Sequence, residues 1–215
     1  MLRNKRSLLE PTLLIVALLT ITSCQRASIE DFHQPGNEDR FIKLDNKGQP
    51  LDAKAGIWRC VRDPANDLVW EVKTDNEGLH DYQWTYSWDG ASTDDQRASE
   101  LRDMAPGSCD RRSTERCTTT GLIAATNAEQ LCGFQDWRLP TQQELQTLFD
   151  QRELSPNPKI CKCWFPRTQR SGYWSADMSS STGQISAVNF VQGKADSFHP
   201  RTFFAVRLVR GSAEP

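Results

Sequence analysis

The chain has 215 residues, of which 26 are Lys or Arg and 28 are Asp or Glu, so its formal net charge is −2. Removing residues 1–23, which hold three basic residues and one acidic residue, leaves 23 basic and 27 acidic residues and a net charge of −4. This balance argues against a nucleic-acid-binding protein, which is usually basic, and against broad attraction to polyanions, although it leaves a local basic patch open.

The N-terminal segment predicts export and a lipid anchor. Basic residues precede an uncharged apolar run at 13–21, which is too short to span a bilayer. The run ends at a small residue followed by Cys24, the pattern of a bacterial lipoprotein signal, in which the cysteine becomes the acylated N-terminus. The alternative is an ordinary signal peptide with a chance cysteine. We predict a signal peptide over 1–23, lipidation of Cys24 and a polar tether over 24–40.

The predicted anchor also indicates a location and a partner, which is the membrane itself. Several acyl chains on one residue hold a protein to a bilayer more durably than one chain does. The residue after the cysteine is Gln25. It is not the aspartate that resembles an inner-membrane retention signal. We therefore expect a cell-envelope protein on the outer membrane, with the side that it faces left open.

Six cysteines besides Cys24 predict a disulfide framework, because an even number in an exported chain is typical of one. They are Cys60, Cys109, Cys117, Cys132, Cys161 and Cys163. Cys161 and Cys163 are so close in sequence that we expect them to bond to other cysteines rather than to each other. A metal site is the weaker alternative, because Cys-x-Cys has no matching Cys-x-x-Cys or His pair.

Residues 41–211 predict one α+β domain, followed by a short tail over 212–215. The predicted strands cover 41–44, 58–62, 68–73, 188–193 and 204–209, and the predicted helices cover 118–131 and 144–151. The strand at 68–73 has one apolar and one mostly polar face, because apolar residues alternate along it. Long irregular stretches lie between these elements, and we expect disulfides to hold them.

The segment 131–145 predicts a helix end, a corner and a new helix start. Gly133 suits the left-handed position just past a helix. Pro140 cannot continue an earlier helix and biases the residue before it toward extended geometry. Thr141 and Glu144 predict a capping box at the start of the second helix.

Two sets of residues are candidates for ligand binding. The first is the aromatic run, Tyr82, Trp84, Tyr86 and Trp88. These residues share parity, so an extended chain would point them to one face, where they could stack on a sugar or on an extended partner, or pack inside the domain. The second is the basic group, with Lys162, Arg167 and Arg170 as its candidates. It could hold sulfate, carboxylate or phosphate, or it could be solvated loop charge.

The sequence offers little from which to build an enzyme. It has three histidines and none of the motifs of a nucleophile elbow, a zinc-protease helix or a P-loop. Oxidised cysteines provide no thiolate nucleophile. We therefore predict no catalytic residue, no cofactor and no metal.

The order of several motifs resembles the Lcl C-terminal domain family, which is named after the end domain of a bacterial collagen-like adhesin. The matching blocks are 41–48, 58–63, 68–73, 131–133, Asp136-Trp137-Arg138-Leu139-Pro140-Thr141 with Glu144, Tyr173-Trp174-Ser175 and 206–210. The chain departs from the family pattern at Asn66-Asp67-Leu68, where Thr-Gly-Leu is usual, and at Ser175-Ala176, where a Ser pair is usual. The first departure affects a turn.

The resemblance implies a C-type-lectin-like fold, with small antiparallel sheets, two short helices and long disulfide-stabilised loops. It assigns a structural role to Asp136, Trp137, Arg138, Pro140, Thr141, Glu144 and Trp174. The end domain of the name-giving adhesin is associated with trimerisation and with sulfated polysaccharide. This chain has no collagen-like repeat and a negative mature charge, so we carry neither property over.

These observations lead to one expected function and two alternatives. The leading expectation is a non-catalytic, adhesin-like envelope lipoprotein that binds a glycan or a surface protein and no nucleic acid. The first alternative is a structural accessory lipoprotein of an envelope assembly. The second is an enzyme of the lectin-fold oxidase type, which would need a free reactive cysteine.

Overall fold

The computed structural model describes residues 40–88, 117–150 and 158–211. The predicted signal peptide, Cys24, nearly all of the tether, Cys109 and the tail lie outside the described residues. The described part contains small antiparallel sheets, two helices and disulfides, which confirms the α+β prediction.

The first sheet has four antiparallel strands in the order β1-β2-β3-β7. Its strands are β1 (Ile42–Leu44), β2 (Cys60–Asp63), β3 (Leu68–Glu71) and β7 (Val209–Arg210). Trp70 of β3 lies opposite Val61 on one side and Val209 on the other, so the two ends of the domain meet in this sheet. The predicted C-terminal strand is much shorter than expected, because residues 204 and 205 form only isolated bridges.

The second sheet is a three-stranded meander that the sequence predicted only in part. Its strands are β4 (Gly172–Met178), β5 (Ile185–Asn189) and β6 (Lys194–Phe198). The predicted strand at 188–193 corresponds to β5 and its turn, and the strand itself begins earlier and ends at Asn189. β4 and β6 carry no clear period-2 pattern of apolar residues, which is why neither was predicted.

Among the described residues, two helices and a tight turn lie between β3 and β4 in sequence. Helix α1 covers Thr119–Ala128, a 3-10 turn covers Leu131–Gly133, and helix α2 covers Gln142–Thr147. Both helices are shorter than predicted. Gly133 has a φ of +79°, the left-handed conformation expected from the sequence.

The core buries both faces of β3, which corrects the expectation of a polar face there. All of Leu68–Glu71 is buried, and Val72 and Lys73 are buried beyond it. One hydrophobic cluster contains Trp137 and Trp174, and the other contains Trp70 and Phe165. Charged residues on the inner surface of the sheet therefore need partners inside the domain.

The disulfides confirm the framework but correct one pairing. Cys60 bonds to Cys132, which ties β2 to the 3-10 turn, and Cys117 is also disulfide-bonded. Cys161 and Cys163 bond to each other, so the prediction that they bond elsewhere is wrong. A turn in which the backbone amides of residues 164 and 165 both donate to the Cys161 carbonyl brings the two Cα atoms within 5.2 Å, which is ordinary for a disulfide.

The turn after β1 packs against the 3-10 turn so closely that it needs a glycine. Gly48 has a φ of +75°, and a Cβ there would lie 2.6 Å from the carbonyl oxygen of Cys132. A Cβ on Gly133 would meet the same contact from the other side, at 3.3 Å from the carbonyl oxygen of Lys47. This close contact fixes the central corner of the domain, residues 131–145, beside the turn after β1.

We expect Gly48→Ala to lower the free energy of unfolding by about 2 kcal/mol, because both the backbone conformation and the contact oppose a side chain. Gly56→Ala is the matched control, since a Cβ there meets nothing within 4 Å, and it should change stability by less than about 0.5 kcal/mol. Urea unfolding with the disulfides intact measures both. Equal losses in the two variants would contradict the close-approach explanation.

Candidate functional site

The central corner is held by bonds within the domain. The Trp137 side chain is 2% exposed, and its indole N–H donates to the carbonyl of Leu131 at 3.1 Å. The Asn127 side chain bonds to both the amide and the carbonyl of Trp137, at 2.8 and 3.0 Å. These contacts fix the ring against α1 and leave it no surface for a ligand.

The charged residues of the corner are also paired with neighbouring groups. Arg138 donates to both carboxylate oxygens of Glu144, at 2.9 and 2.7 Å, and Glu144 closes the capping box with Thr141. Asp136 accepts from Arg210 at 2.8 Å. The Pro140 carbonyl accepts from the amide of residue 176 at 2.8 Å and so joins the corner to β4.

The aromatic run does not form a flat platform. Tyr86 is 1% exposed, and its carbonyl accepts from the buried indole N–H of Trp174 at 2.8 Å. Trp84 and Trp88 are half-buried against the first core cluster, and their indole N–H groups donate to the carbonyls of Gly78 and Ser175. Tyr82 is half-buried. Binding through the outer edges of Tyr82, Trp84 and Trp88 stays a prediction, whereas Tyr86 has no surface to offer.

The basic loop, residues 159–170, presents its cations on an anchored backbone. Ile160, Trp164 and Phe165 are buried in the second core cluster. The amide of Lys159 donates to the carbonyl of Phe190 at 2.7 Å. The basic side chains of the loop are exposed: Lys159, Lys162, Arg167 and Arg170. The loop contains no acidic residue, and Arg167 pairs only at the surface with Asp75, at 3.3 Å.

Beneath this loop lies a buried ionic cluster that the sequence did not predict. Glu71 is 0% exposed, and one of its carboxylate oxygens lies 2.7 Å from Lys73 Nζ and 2.6 Å from His80 Nδ1. Its other oxygen accepts from the amide of Leu208 at 2.8 Å. The remaining ring nitrogen of His80 bonds to Glu129, at the end of α1. The cluster thus joins β3, the loop after it, α1 and the C-terminal segment.

Arg207 links this cluster to the basic loop. Its guanidinium is buried and donates to the carbonyl of Glu71 at 2.8 Å. It also donates to the Arg167 carbonyl at 3.3 Å and to the Thr168 hydroxyl at 3.1 Å, and it stacks over Phe165 at 4.6 Å. The buried Arg207 therefore helps to fix the backbone of the loop that carries the exposed cations.

The neighbours in the cluster decide its protonation. Burial alone would raise the pKa of Glu71, but Lys73 and His80 outweigh it and hold that pKa well below its usual range. Burial alone would lower the pKa of His80, but its bonds to Glu129 and Glu71 raise it above its ordinary value. The imidazolium form is favoured because each ring nitrogen faces a carboxylate.

The described residues contain no group of His, Cys, Asp and Glu side chains arranged to hold a metal ion. The same residues contain no helix long and apolar enough to cross a bilayer.

The sequence model of the Lcl C-terminal domain matches residues 59–210, which is more than half of the chain. The chain belongs to the Lcl C-terminal domain family. Strand β1 precedes the matched segment but pairs with β2, so the folded unit extends beyond the match on this side. No curated protein and no solved structure matches the chain.

The turn between β2 and β3 contains one unusual backbone position. Asp67 has a φ of +51°, in the left-handed region that favours glycine. The family motif that the sequence resembles usually has a glycine at this position, so the aspartate occupies a backbone conformation that suits glycine. Aspartate is among the few other residues that adopt this conformation readily.

Sequence reasoning missed the ionic cluster for an identifiable reason. The alternation at 68–73 placed Glu71 and Lys73 on one face, and only the fold shows that this face is covered. His80 is one of three histidines in the sequence, but its partners lie 9 and 49 residues away.

The cluster predicts that stability depends on pH in a defined direction. A raised His80 pKa contributes stability that is fully present below about pH 6.5, and this is lost as pH rises through the folded-state pKa. The lowered pKa of Glu71 contributes stability above about pH 4.3, lost as pH falls. We expect urea unfolding to show maximum stability between these limits.

The His80→Gln variant isolates the alkaline limb of this profile. It should be less stable than the wild type at pH values near 6 and should lose little further stability toward alkaline pH. The exposed His199 provides the control variant His199→Gln, which should keep the wild-type profile. An unchanged alkaline slope in His80→Gln would show that another group titrates.

Proposed function

We propose that the chain is a lipid-anchored protein of the cell envelope whose Lcl C-terminal domain is a non-catalytic, C-type-lectin-like binding module for an acidic glycan. Cys24 would carry the acyl anchor, and the outer membrane is the proposed location. The observation that carries the proposal is the basic loop. Its cations are exposed on an anchored backbone, and the loop contains no acidic residue.

The chemistry of the loop favours an anionic ligand. Arginine donates in a planar fork that fits sulfate and carboxylate groups, and lysine adds a compact charge. Lys162 and Arg170 are exposed, and Arg167 is only partly occupied by its surface pair with Asp75. A surface pair of this kind is weak, so an anionic ligand can replace it.

Rigidity of the backbone supports the same proposal. A binding loop that is already ordered loses little conformational freedom when its ligand arrives. Here Ile160, Trp164 and Phe165 fix the loop from inside, and Arg207 bonds to its Arg167 carbonyl. The partly buried edges of Trp84 and Trp88 are secondary candidates for contact with a sugar ring.

The proposed C-type-lectin-like fold is supported by the family assignment and by the arrangement of strands and helices. Small antiparallel sheets, two short helices and described segments without helix or strand, such as 158–171, are the arrangement expected of a C-type-lectin-like domain, and they support that assignment. The absence of the named catalytic motifs from the sequence supports a binding role over an enzymatic one.

The alternative function is a structural accessory lipoprotein that binds one protein of an envelope assembly. Crosslinking in cells that captures a single stoichiometric partner, with no glycan bound, would support this alternative over the glycan proposal.

A polysaccharide binding assay tests the leading proposal. The folded protein should bind a heavily sulfated or carboxylated polysaccharide more tightly than a neutral dextran, and added salt should weaken the binding. Substituting Lys162, Arg167 and Arg170 together with Gln should weaken it by at least about tenfold, since each charged contact contributes on the order of 1 kcal/mol.

The matched control replaces three exposed cations elsewhere, Lys47, Lys54 and Arg62, with Gln. It has the same net charge as the loop variant but keeps the basic loop. Equal weakening in both variants would mean that only net charge matters, and no binding to any acidic polysaccharide would reject the glycan ligand.

A further inference from the structure

The two disulfides whose pairing the structure describes differ in the properties that govern thiol exchange. Cys60 and Cys132 are 0% and 1% exposed, and their bond spans 72 residues of the chain. Cys161 and Cys163 enclose a single residue, with Cys163 exposed and Cys161 half-buried. An attacking thiol can therefore reach the second bond in the folded protein but not the first.

The Cys161–Cys163 bond also contributes little to holding the fold. A disulfide stabilises chiefly by closing a loop of the unfolded chain, and the effect grows with loop length. A loop of one enclosed residue lies at the lower limit of that effect. Burial of Ile160, Trp164 and Phe165 already anchors the segment. Opening this bond should leave the domain folded.

The surroundings of Cys161 favour its thiolate. The backbone N–H of Cys163 donates to Cys161 Sγ at 3.3 Å. Lys162 lies between the two cysteines, and the basic loop holds three further exposed cations and no acid. Nearby cations and N–H donors lower a thiol pKa, and a thiol of lower pKa leaves faster in exchange.

We propose that Cys161–Cys163 is a redox-active disulfide that accepts two electrons from a dithiol. A thiolate of the dithiol attacks Sγ of Cys163, the more exposed residue of the pair, the Cys161–Cys163 bond breaks, and Cys161 leaves as a thiolate. The second thiol of the partner loses its proton, attacks the partner sulfur of the mixed disulfide and releases Cys163. One disulfide is reduced, one is formed in the dithiol, and the two protons of the dithiol pass to solvent or to the new thiols.

Graded reduction of the folded protein tests this inference without any variant. The protein is titrated with dithiothreitol at neutral pH, alkylated and mapped by mass spectrometry, with circular dichroism recorded in parallel. We expect Cys161 and Cys163 to be alkylated at a dithiothreitol concentration about 100-fold lower than Cys60 and Cys132 require, with the fold retained. Simultaneous opening of both bonds, or opening only on unfolding, would overturn the inference.

A second arm tests the role of the charges and the kind of dithiol. Lys162→Glu should slow reduction by neutral dithiothreitol several-fold, whereas Lys54→Glu, at an exposed site outside the loop, should leave the rate unchanged. Equal rates in these variants would reject the assigned electrostatic effect. A reduced peptide with two cysteines replaces dithiothreitol in a parallel assay, and faster exchange with the peptide would identify a protein dithiol as the partner.

Discussion

The carboxylate of Glu71 is fully buried, and its partners reach it from three separate segments of the chain. Lys73 and His80 bond to one oxygen, and the Leu208 amide donates to the other. Burying an ion costs several kcal/mol unless its partners compensate it, so this arrangement requires all of them together. Removal of one partner from such a cluster costs on the order of 3–5 kcal/mol, because the remaining charge stays buried.

The cluster is also connected to the basic loop, the surface proposed to bind a ligand. Arg207 is buried beside Glu71 and donates to its carbonyl. It also donates to the Arg167 carbonyl and the Thr168 hydroxyl of the basic loop. The strands and helices therefore hold the loop in place, and the loop carries the exposed cations. This division agrees with the general tendency of binding residues to stand on loops that a rigid scaffold positions.

Local signals in the sequence predicted the local parts of the fold. Gly133 indicated a left-handed turn, and Thr141 with Glu144 indicated a capped helix, because each motif depends only on its nearest neighbours. The Lcl C-terminal domain family was also recognisable from the order of short motifs.

Contacts between distant segments were beyond the same reasoning. The charged face of β3 looked exposed because its partners His80 and Arg207 come from elsewhere in the chain. The parity of the aromatic run suggested one shared face, whereas Tyr86 is buried and its neighbours are only half-buried. The Cys161–Cys163 bond depends on a turn that spacing alone does not reveal. In the candidate site, the sequence predicted the cations of the basic loop and the aromatic run, but not the buried cluster.

Native-state hydrogen exchange of a Glu71→Gln variant tests the central role of the cluster most directly. The substitution preserves size and an acceptor for the Leu208 amide but leaves Lys73 and His80 without a buried anion. We expect amides of 79–81, 159–170 and 205–209 to lose protection together, with Glu77→Gln, at an exposed position, unchanged from the wild type. Loss of protection confined to residues next to position 71, with the basic loop unaffected, would contradict the account.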